Sequence, residues 1–549
     1  MFVLNAITNS VVNGKEDPVD IQLFDVEKCF DALWLDECIN DIYEAGLNND
    51  KLVLLYLENQ TANFAVKTAE GKTERTSIKN IIMQGTVWGS FLCTVTMDKI
   101  GKFVYDNPEL VYKYKGVVET PSLGMVDDVL CVQKCSVETV KINSIINSFI
   151  ESKKLKLSTK KCKRIHIQKK KEKRNINCPE IKVHENRMES SNEQKYLGDL
   201  ISSNGSIRNN IEERRNKGFG IVNEIIAILD EIPLGRFQIE IGLKLRQAML
   251  LNGILFNSEA WHSISDSEIR ILEVVDESLL RALVKGHSKV PLEFLYLEAG
   301  AIPIRFIIAS RRLIYHHNIL RRENNELVKR IYQEQVRNPT KGDYSELIKD
   351  DFKIINEVQD DVVIQNTNTN AYKTHIKKCI RAAAFQYLTR KQATHSKIKT
   401  IEYKQLEVQK YMTSPIFRNE EVNQLFALRS RTTNCKENFK QKYKNDDLLC
   451  GLCHKEKEDQ PHLLRCEVLR KKFISKQISR NNVEYNHIFS EDIHKQKEIS
   501  SLYIQLLKIK TELEAQQICQ PAPSTTDMVL MTSDDLPYSI VHSSSGKLK

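Results

Sequence analysis

Residues 124–130 read GMVDDVL, so two adjacent aspartates, Asp127 and Asp128, interrupt an apolar run that follows a glycine. Carboxylates inside a buried strand are costly unless a cation meets them. The chain must therefore bring this stretch to a strand end or turn and place positive charge beside it. Strand-like patterning on both sides, VYKYKGVVETPS before and LCVQK after, predicts a hairpin with the aspartate pair at its tip.

The pattern around it is mixed. IQLFD (21–25) reads as a short buried strand ending on Asp25, and ALWLDECINDIYEAGL reads as a helix with Leu33, Leu35, Ile39, Ile42 and Tyr43 near one face. Further strands are expected at 52–56 and 63–68. QGTVWGS is a glycine-containing turn leading into an apolar helix, Val137–Ser152 is helical, and the second half of KLKLSTKKCKRIHI alternates like a strand. From about residue 191 long helical periodicities take over, and Trp261, Phe256 and Ile307 read as core side chains within them. His316 and His317 are adjacent, cannot share a helix face, and are assigned no role. QVRNPTKGD (335–343) reads as a linker, and the Ser-, Thr- and Pro-rich residues 515–549 as a disordered tail.

A length of 549 residues suits about three domains at roughly 150 residues each. The charge balance, 81 Lys+Arg against 72 Asp+Glu, leans toward a polyanionic partner. No apolar run approaches the roughly 20 residues of a membrane span, and scattered cysteines suit a reducing compartment, so a soluble intracellular chain of the nucleus or cytoplasm is expected. Between Lys153 and Arg174 stand twelve Lys or Arg and one Glu, a stretch suited to neutralising phosphates. Farther on, CGLCHKEKEDQPHLLRC sets Cys450, Cys453, His462 and Cys466 in a C-x2-C-x8-H-x3-C array. Four such ligands fit a tetrahedral Zn²⁺ and leave no open position, so the site is structural, with His454 a nearby alternative ligand.

Asp25 and the pair Asp127/Asp128 supply the other candidate metal site. Strand-end aspartates brought together can hold two divalent cations about 3.5–4 Å apart, the arrangement used for nucleotidyl transfer. Mg²⁺ suits it, since this ion prefers carboxylate oxygens and substrate phosphates.

The ordered motifs FDVEKCFD, QGTVWGS, MVDD, LKLSTKKCK and KYLG, within about residues 15–330, resemble the palm of reverse transcriptases, most closely those of non-LTR (LINE-type) retrotransposons. The resemblance implies that Asp25, Asp127 and Asp128 bind the metals, with Asp127 the firmer ligand of the pair, and that the Val26 carbonyl also touches a metal. It implies that Phe30 packs under the sugar and rejects a 2′-hydroxyl, that Gln84 and Gly85 position template and incoming base, and that Lys161 is a general acid toward pyrophosphate. Tyr196, Leu197 and Gly198 match the primer grip, and the cysteine array matches the knuckle found after the polymerase in many such elements. Met125, Val126, Val87 and Ser158 depart from the family pattern. Only 24 residues precede Asp25, where the family has a fingers region, so an N-terminally truncated form is expected.

The expected fold is thus an α+β polymerase palm, an antiparallel sheet with helices, followed by a mainly α-helical thumb and a C-terminal region with a small zinc knuckle. The expected domains are 1–190 (palm), 191–334 (primer grip and thumb), 344–435 (helical region), 436–480 (knuckle) and 515–549 (tail). The expected function is RNA-directed DNA polymerisation with an RNA template, a DNA primer or target and deoxynucleoside triphosphates, and without a membrane. The alternative is an inactive remnant that only binds nucleic acid.

Overall fold

In the computed structural model the described residues are 1–14, 16–47, 50–60, 63–77, 82, 86–120, 122–134, 137–169, 179–231, 238–443, 447–475 and 483–518. They fall into two compact units, Met1–Arg431 and Thr432–Lys549.

Alternating side chains build the central sheet of the first unit. Its strands are β1 (Val19–Phe24), β2 (Leu123–Met125), β3 (Asp128–Lys134), β4 (Lys163–Ile167) and β5 (Glu189–Ser190), in spatial order β5-β4-β1-β3-β2. β1 is central and antiparallel to both β3 and β4. The expected all-antiparallel sheet needs one correction, because β5 runs parallel to β4. With side chains alternating between faces, Val19, Ile21, Leu23, Leu130, Val132, Ile165 and Ile167 join one core, which includes helix α1 (Phe2–Asn13). Phe24, Val129 and Cys131 join the other, with helices α2 (Leu35–Glu44), α4 (Val87–Tyr105) and α5 (Val137–Ser152).

One buried carboxylate in β1 is fully engaged. Asp20 accepts hydrogen bonds from Arg164, from Thr139 Oγ1 at 3.1 Å and pairs with His166 Nδ1 at 3.0 Å. Burial opposes its charge, yet the bonds from His166 and Arg164 hold the carboxyl below its ordinary value. Arg164, expected in the phosphate-binding stretch, is thus consumed inside the sheet. Lys153 is likewise drawn onto Asp41 at 2.9 Å and Lys163 onto Glu189. Residues 170–174 of that stretch lie outside the described residues.

Three sequence expectations fail for physical reasons. Residues 52–56 lie in helix α3 (Asp50–Gln60), not in a strand. An apolar run of leucines and a valine does not by itself separate the two states, and leucine is a strong helix former. Tyr43 is exposed, because α2 buries Leu35, Cys38, Asp41 and Ile42 instead. Segment 335–343 is tightly held within the first unit: Asp343 is buried, accepts from Asn9 Nδ2 at 2.9 Å and pairs with Lys115 at 2.8 Å.

Beyond the sheet a hairpin, β6 (Glu193–Tyr196) with β7 (Asp199–Ser202), leads into helix α6 (Arg208–Glu231). Helix α7 (Asp266–Leu283) starts with a capping box, Ser265 and Glu268, and packs on α6 around buried Ile225, Ile254, Trp261, Leu272 and Val275. Arg246, in a π-helical turn, reaches Asp276 with two bonds of 2.6 and 2.7 Å. Helices α8 (Ile304–Leu320), α9 (Tyr344–Ile354) and α10 (Thr369–Ala393) complete this unit's larger helical part.

His262 and His316 are buried in this region, and burial pushes both imidazoles down to about 4. The unfolded chain, with ordinary imidazoles near 6.5, takes up more protons as pH falls, so the associated stability is present above 6.5 and is lost as pH falls toward 4. At pH 5 the loss is roughly 2 kcal/mol per histidine. Melting temperatures measured from pH 7.5 to 5 are expected to fall, and His316→Phe to flatten that slope.

In the second unit, helix α11 (Gln460–Arg465) is N-capped by Asp459, whose side chain accepts from His462 N at 2.7 Å. The long helix α12 (Ile493–Ile518) packs on it through Tyr503, whose hydroxyl donates to Gln460 O at 2.6 Å. The first four residues of the expected tail, 515–518, are helical, while 519–549 lie outside the described residues.

Candidate active site and cysteine–histidine cluster

The register of the sheet brings the candidate carboxylates together. Phe24 pairs with Val129, so one step further along both strands sets Asp25 against Asp128. On the other edge of β3, Met125 pairs with Asp128, leaving Val126 and Asp127 as the two-residue turn of the hairpin. Val126 and Asp127 therefore form the tip, and Asp128 opens the strand. Val126 has φ +62°, a conformation that a β-branched residue adopts only under strain and that glycine usually fills at the first position of such a turn.

A cleft of about 270 Å³ opens over this junction, lined by Asp25, Asp128, Lys160, Lys161, Lys163, Lys195, Tyr196 and Leu197 among others. Asp128 lines it. Asp127 stands beside it and adds negative charge. Burial, then Asp127 and Asp25, push the Asp128 carboxyl above its ordinary value, with Lys161 opposing them. Asp25 Oδ1 accepts a bond from Lys161 Nζ at 3.3 Å, whereas its Oδ2 is buried without a hydrogen-bond partner. An orphaned carboxylate oxygen beside a second carboxylate whose ionisation is opposed is a donor set that a divalent cation satisfies. Of the lysines on the rim, Lys163 is paired with Glu189 and Lys195 with Glu213 at 2.6 Å, which leaves Lys160 and Lys161 to complement a polyphosphate.

The loop after α5 fixes Asp25 from below. Ser158 N donates to Asp25 O at 2.9 Å, Glu27 N donates to Lys156 O at 2.8 Å, and Val26 bridges Leu157. Ser158, noted above as a departure, thus keeps a backbone role that does not depend on its side chain. Lys161 follows on the same loop with its ammonium largely exposed. Phe30 sits half-buried in the one-turn helix Cys29–Ala32 and packs against the second core. Gln84 and Gly85 lie outside the described residues.

Tyr196 closes the cleft from the β6–β7 hairpin, and burial, then the nearby Asp128, push its hydroxyl above its ordinary value. The turn after it is built by residues that motif reading missed. Leu197 and Gly198 have φ of +45° and +83°. Asn257 Nδ2 donates to Leu197 O at 3.0 Å and Arg214 Nη2 to Gly198 O at 3.0 Å. Both donors also bind the buried Asp199, which accepts from Asn210 at 2.9 Å and from Trp261 Nε1 at 3.4 Å. Phe256, expected in the core, is 54% exposed and lies over this turn, its ring 3.0 Å from where a Cβ on Gly198 would stand. Apolar character alone could not separate a ring covering a turn from a ring in a core.

In the second unit, Cys450, Cys453, His462 and Cys466 bring one ligand atom each within 4.8 Å of one another. Cys450 and Cys466 sulfurs are 3.9 Å apart, and Cys453 Sγ is 3.4 Å from His462 Nε2. His462 Nδ1 is 3.2 Å from Glu456, the kind of outer carboxylate that orients a ligating imidazole. Cys450 and Cys466 share a hydrogen bond that pushes the first thiol up to about 12 and the second down to about 7. Three sulfurs and an imidazole converging on one point fit a zinc ion, and His454 is not among them.

Among the described residues no helix is long and apolar enough to cross a membrane. Residues 14–200 match the family model described as reverse transcriptase (RNA-dependent DNA polymerase), so the chain carries a reverse transcriptase domain, the nucleotidyltransferase domain of RNA-directed DNA polymerases. No curated protein matches the sequence. Among solved structures it is similar to telomerase from Candida albicans, in a complex with a TWJ fragment of telomeric RNA. That likeness has a TM-score of 0.24 and 11% identity over 64% of this chain. The chain spans about half (50%) of that telomerase chain.

Proposed function

From the premise that residues 14–200 are a reverse transcriptase domain, we propose that this chain is the RNA-directed DNA polymerase core of a non-LTR retrotransposon. It adds deoxynucleotides to a primer 3′-hydroxyl on an RNA template. The observation that carries the reading is the meeting of Asp25 and Asp128 at adjacent strand ends, with an orphaned Asp25 oxygen, in a cleft rimmed by lysines.

Asp25, the Val26 carbonyl, Asp127 and Asp128 would hold the Mg²⁺ ions. When bound, such ions neutralise phosphate charge and favour an ionised primer hydroxyl. The chain's own groups do the rest. Lys161 faces the same cleft from the loop below and is the proton donor toward the leaving pyrophosphate. Lys160 draws the triphosphate in. Phe30 stands five residues past Asp25 and excludes a 2′-hydroxyl. Gln84 and Gly85 remain assigned to template and base, and the rigid Tyr196–Gly198 turn holds the primer end. The Cys450, Cys453, His462 and Cys466 cluster binds a structural Zn²⁺ in a knuckle that contacts nucleic acid.

A 5′-labelled DNA primer annealed to an RNA template tests the reading. Products are expected only when complementary deoxynucleotide and Mg²⁺ are both present. Salt-sensitive binding without extension would instead support the remnant that only binds nucleic acid.

The grip is tested at Gly198. Gly198→Ala places a side chain at φ +83° against Phe256, so the turn is expected to shift. The expected outcome is a several-fold higher KM for primer–template with little change in KM for deoxynucleotide, read by steady-state extension.

A further inference from the structure

A second group of metal-ligating side chains lies in the first unit, outside the cleft. Helix α10 presents His375 and Cys379, which are four apart and so share a face. Glu357 comes from the turn that ends α9. There Asn356 has φ +57°, and Glu357 N donates to Phe352 O at 3.0 Å, a helix stop that fixes where the carboxylate begins. The three side chains converge. His375 Nε2 is 2.6 Å from Glu357 Oε1, Cys379 Sγ is 3.1 Å from the same oxygen, and Cys379 Sγ is 3.6 Å from His375 Nε2.

From this geometry we infer that Glu357, His375 and Cys379 form a zinc-binding site distinct from the knuckle. Tetrahedral zinc with its usual bond lengths sets a sulfur and an imidazole nitrogen about 3.6 Å apart, so the Cys379–His375 pair already stands at that spacing. The carboxylate oxygen has to withdraw by about 1 Å or less from each of them, which rotation of a glutamate side chain supplies. A thiolate, an imidazole and a carboxylate favour Zn²⁺ over Mg²⁺ or Ca²⁺. His375 is mostly exposed, so the fourth position is open to water. On binding, the Cys379 thiol proton passes to solvent, and thiolate and carboxylate together neutralise the ion. Functionally the ion is a staple, tying the end of α9 to the middle of α10. The competing description is an ion pair between His375 and Glu357 with a thiol donating beside it.

The test uses the full chain, loaded with Zn²⁺ alone and freed of loosely held metal, with zinc per chain measured by mass spectrometry. Cys379→Ser and His375→Ala are each expected to lose one zinc equivalent relative to wild type. In a Cys466→Ser background, Co²⁺ is expected to give a thiolate-to-metal absorption band that Cys379→Ser removes, and Cys379→His to restore zinc retention. Equal zinc content in wild type, Cys379→Ser and His375→Ala would overturn the inference. Circular dichroism identifies any variant that fails to fold, and the remaining variant then decides by the same zinc count.

Discussion

Asp25→Ala is expected to abolish primer extension while leaving the fold in place, a loss of about a thousandfold or more. The size follows from what the carboxylate does. Removing charge stabilisation worth about 4 kcal/mol at the reacting phosphate corresponds to about three orders of magnitude in rate. The fold is expected to survive because Asp25 contributes little to packing through its side chain. Its backbone N and O make the contacts to Cys162 and Ser158, and its Oδ2 has no hydrogen-bond partner to lose. Removing it also relieves repulsion on Asp128, so thermal stability is expected to hold or rise slightly. Single-nucleotide incorporation and a melting curve on the same preparation check both halves. A variant that extends like wild type would remove Asp25 from the site.

Stripping zinc from the second unit is expected to unfold the region around residues 447–475 outright. Structural zinc contributes about 10 kcal/mol or more of apparent binding free energy in small domains, which exceeds what a core of this size supplies. Apart from the cluster, this region rests on few large buried side chains, chiefly Leu463, Leu469 and Phe473. Without metal, Cys450, Cys453 and Cys466 would also be thiols crowded together with only weak hydrogen bonds between them. Cys450→Ser is expected to raise hydrogen exchange across 447–475 to near the unprotected rate while the first unit keeps its protection, and chelation to do the same with any change in the first unit confined to the region of residues 357–379. Unchanged exchange on complete zinc removal would contradict the zinc assignment.

Much of the palm was legible because its strands carry alternating apolar residues and its chemistry stands at their ends. Asp25 after IQLF and Asp128 before VLCV are positions that strand patterning alone locates. Helix Val137–Ser152 and strand Lys163–Ile167 follow the expected segments for the same reason. What patterning could not reveal is where a charge is spent. Lys153, Lys163 and Arg164 look identical to phosphate-binding neighbours in sequence, yet each meets a carboxylate brought from elsewhere by the fold. The turn at Leu197–Gly198 was visible as a motif, but its supports at Asp199, Arg214 and Asn257 lie up to 60 residues away and carry no local signal. The Glu357, His375 and Cys379 group was hidden likewise, since its third member comes from another element 18 residues before His375. Clustered ligands such as Cys450 to Cys466 are legible because spacing within one short segment already implies proximity.

Asp25 and Asp128, at adjacent strand ends, are the heart of the proposed polymerase centre. The most direct measurement compares wild type and Asp128→Asn in primer extension on poly(rA)/oligo(dT) with Mg²⁺, at protein concentrations giving equal occupancy of the RNA–DNA duplex by filter binding. The prediction is extension by wild type and none by Asp128→Asn. Silence from both at equal occupancy, or equal extension by both, would contradict it.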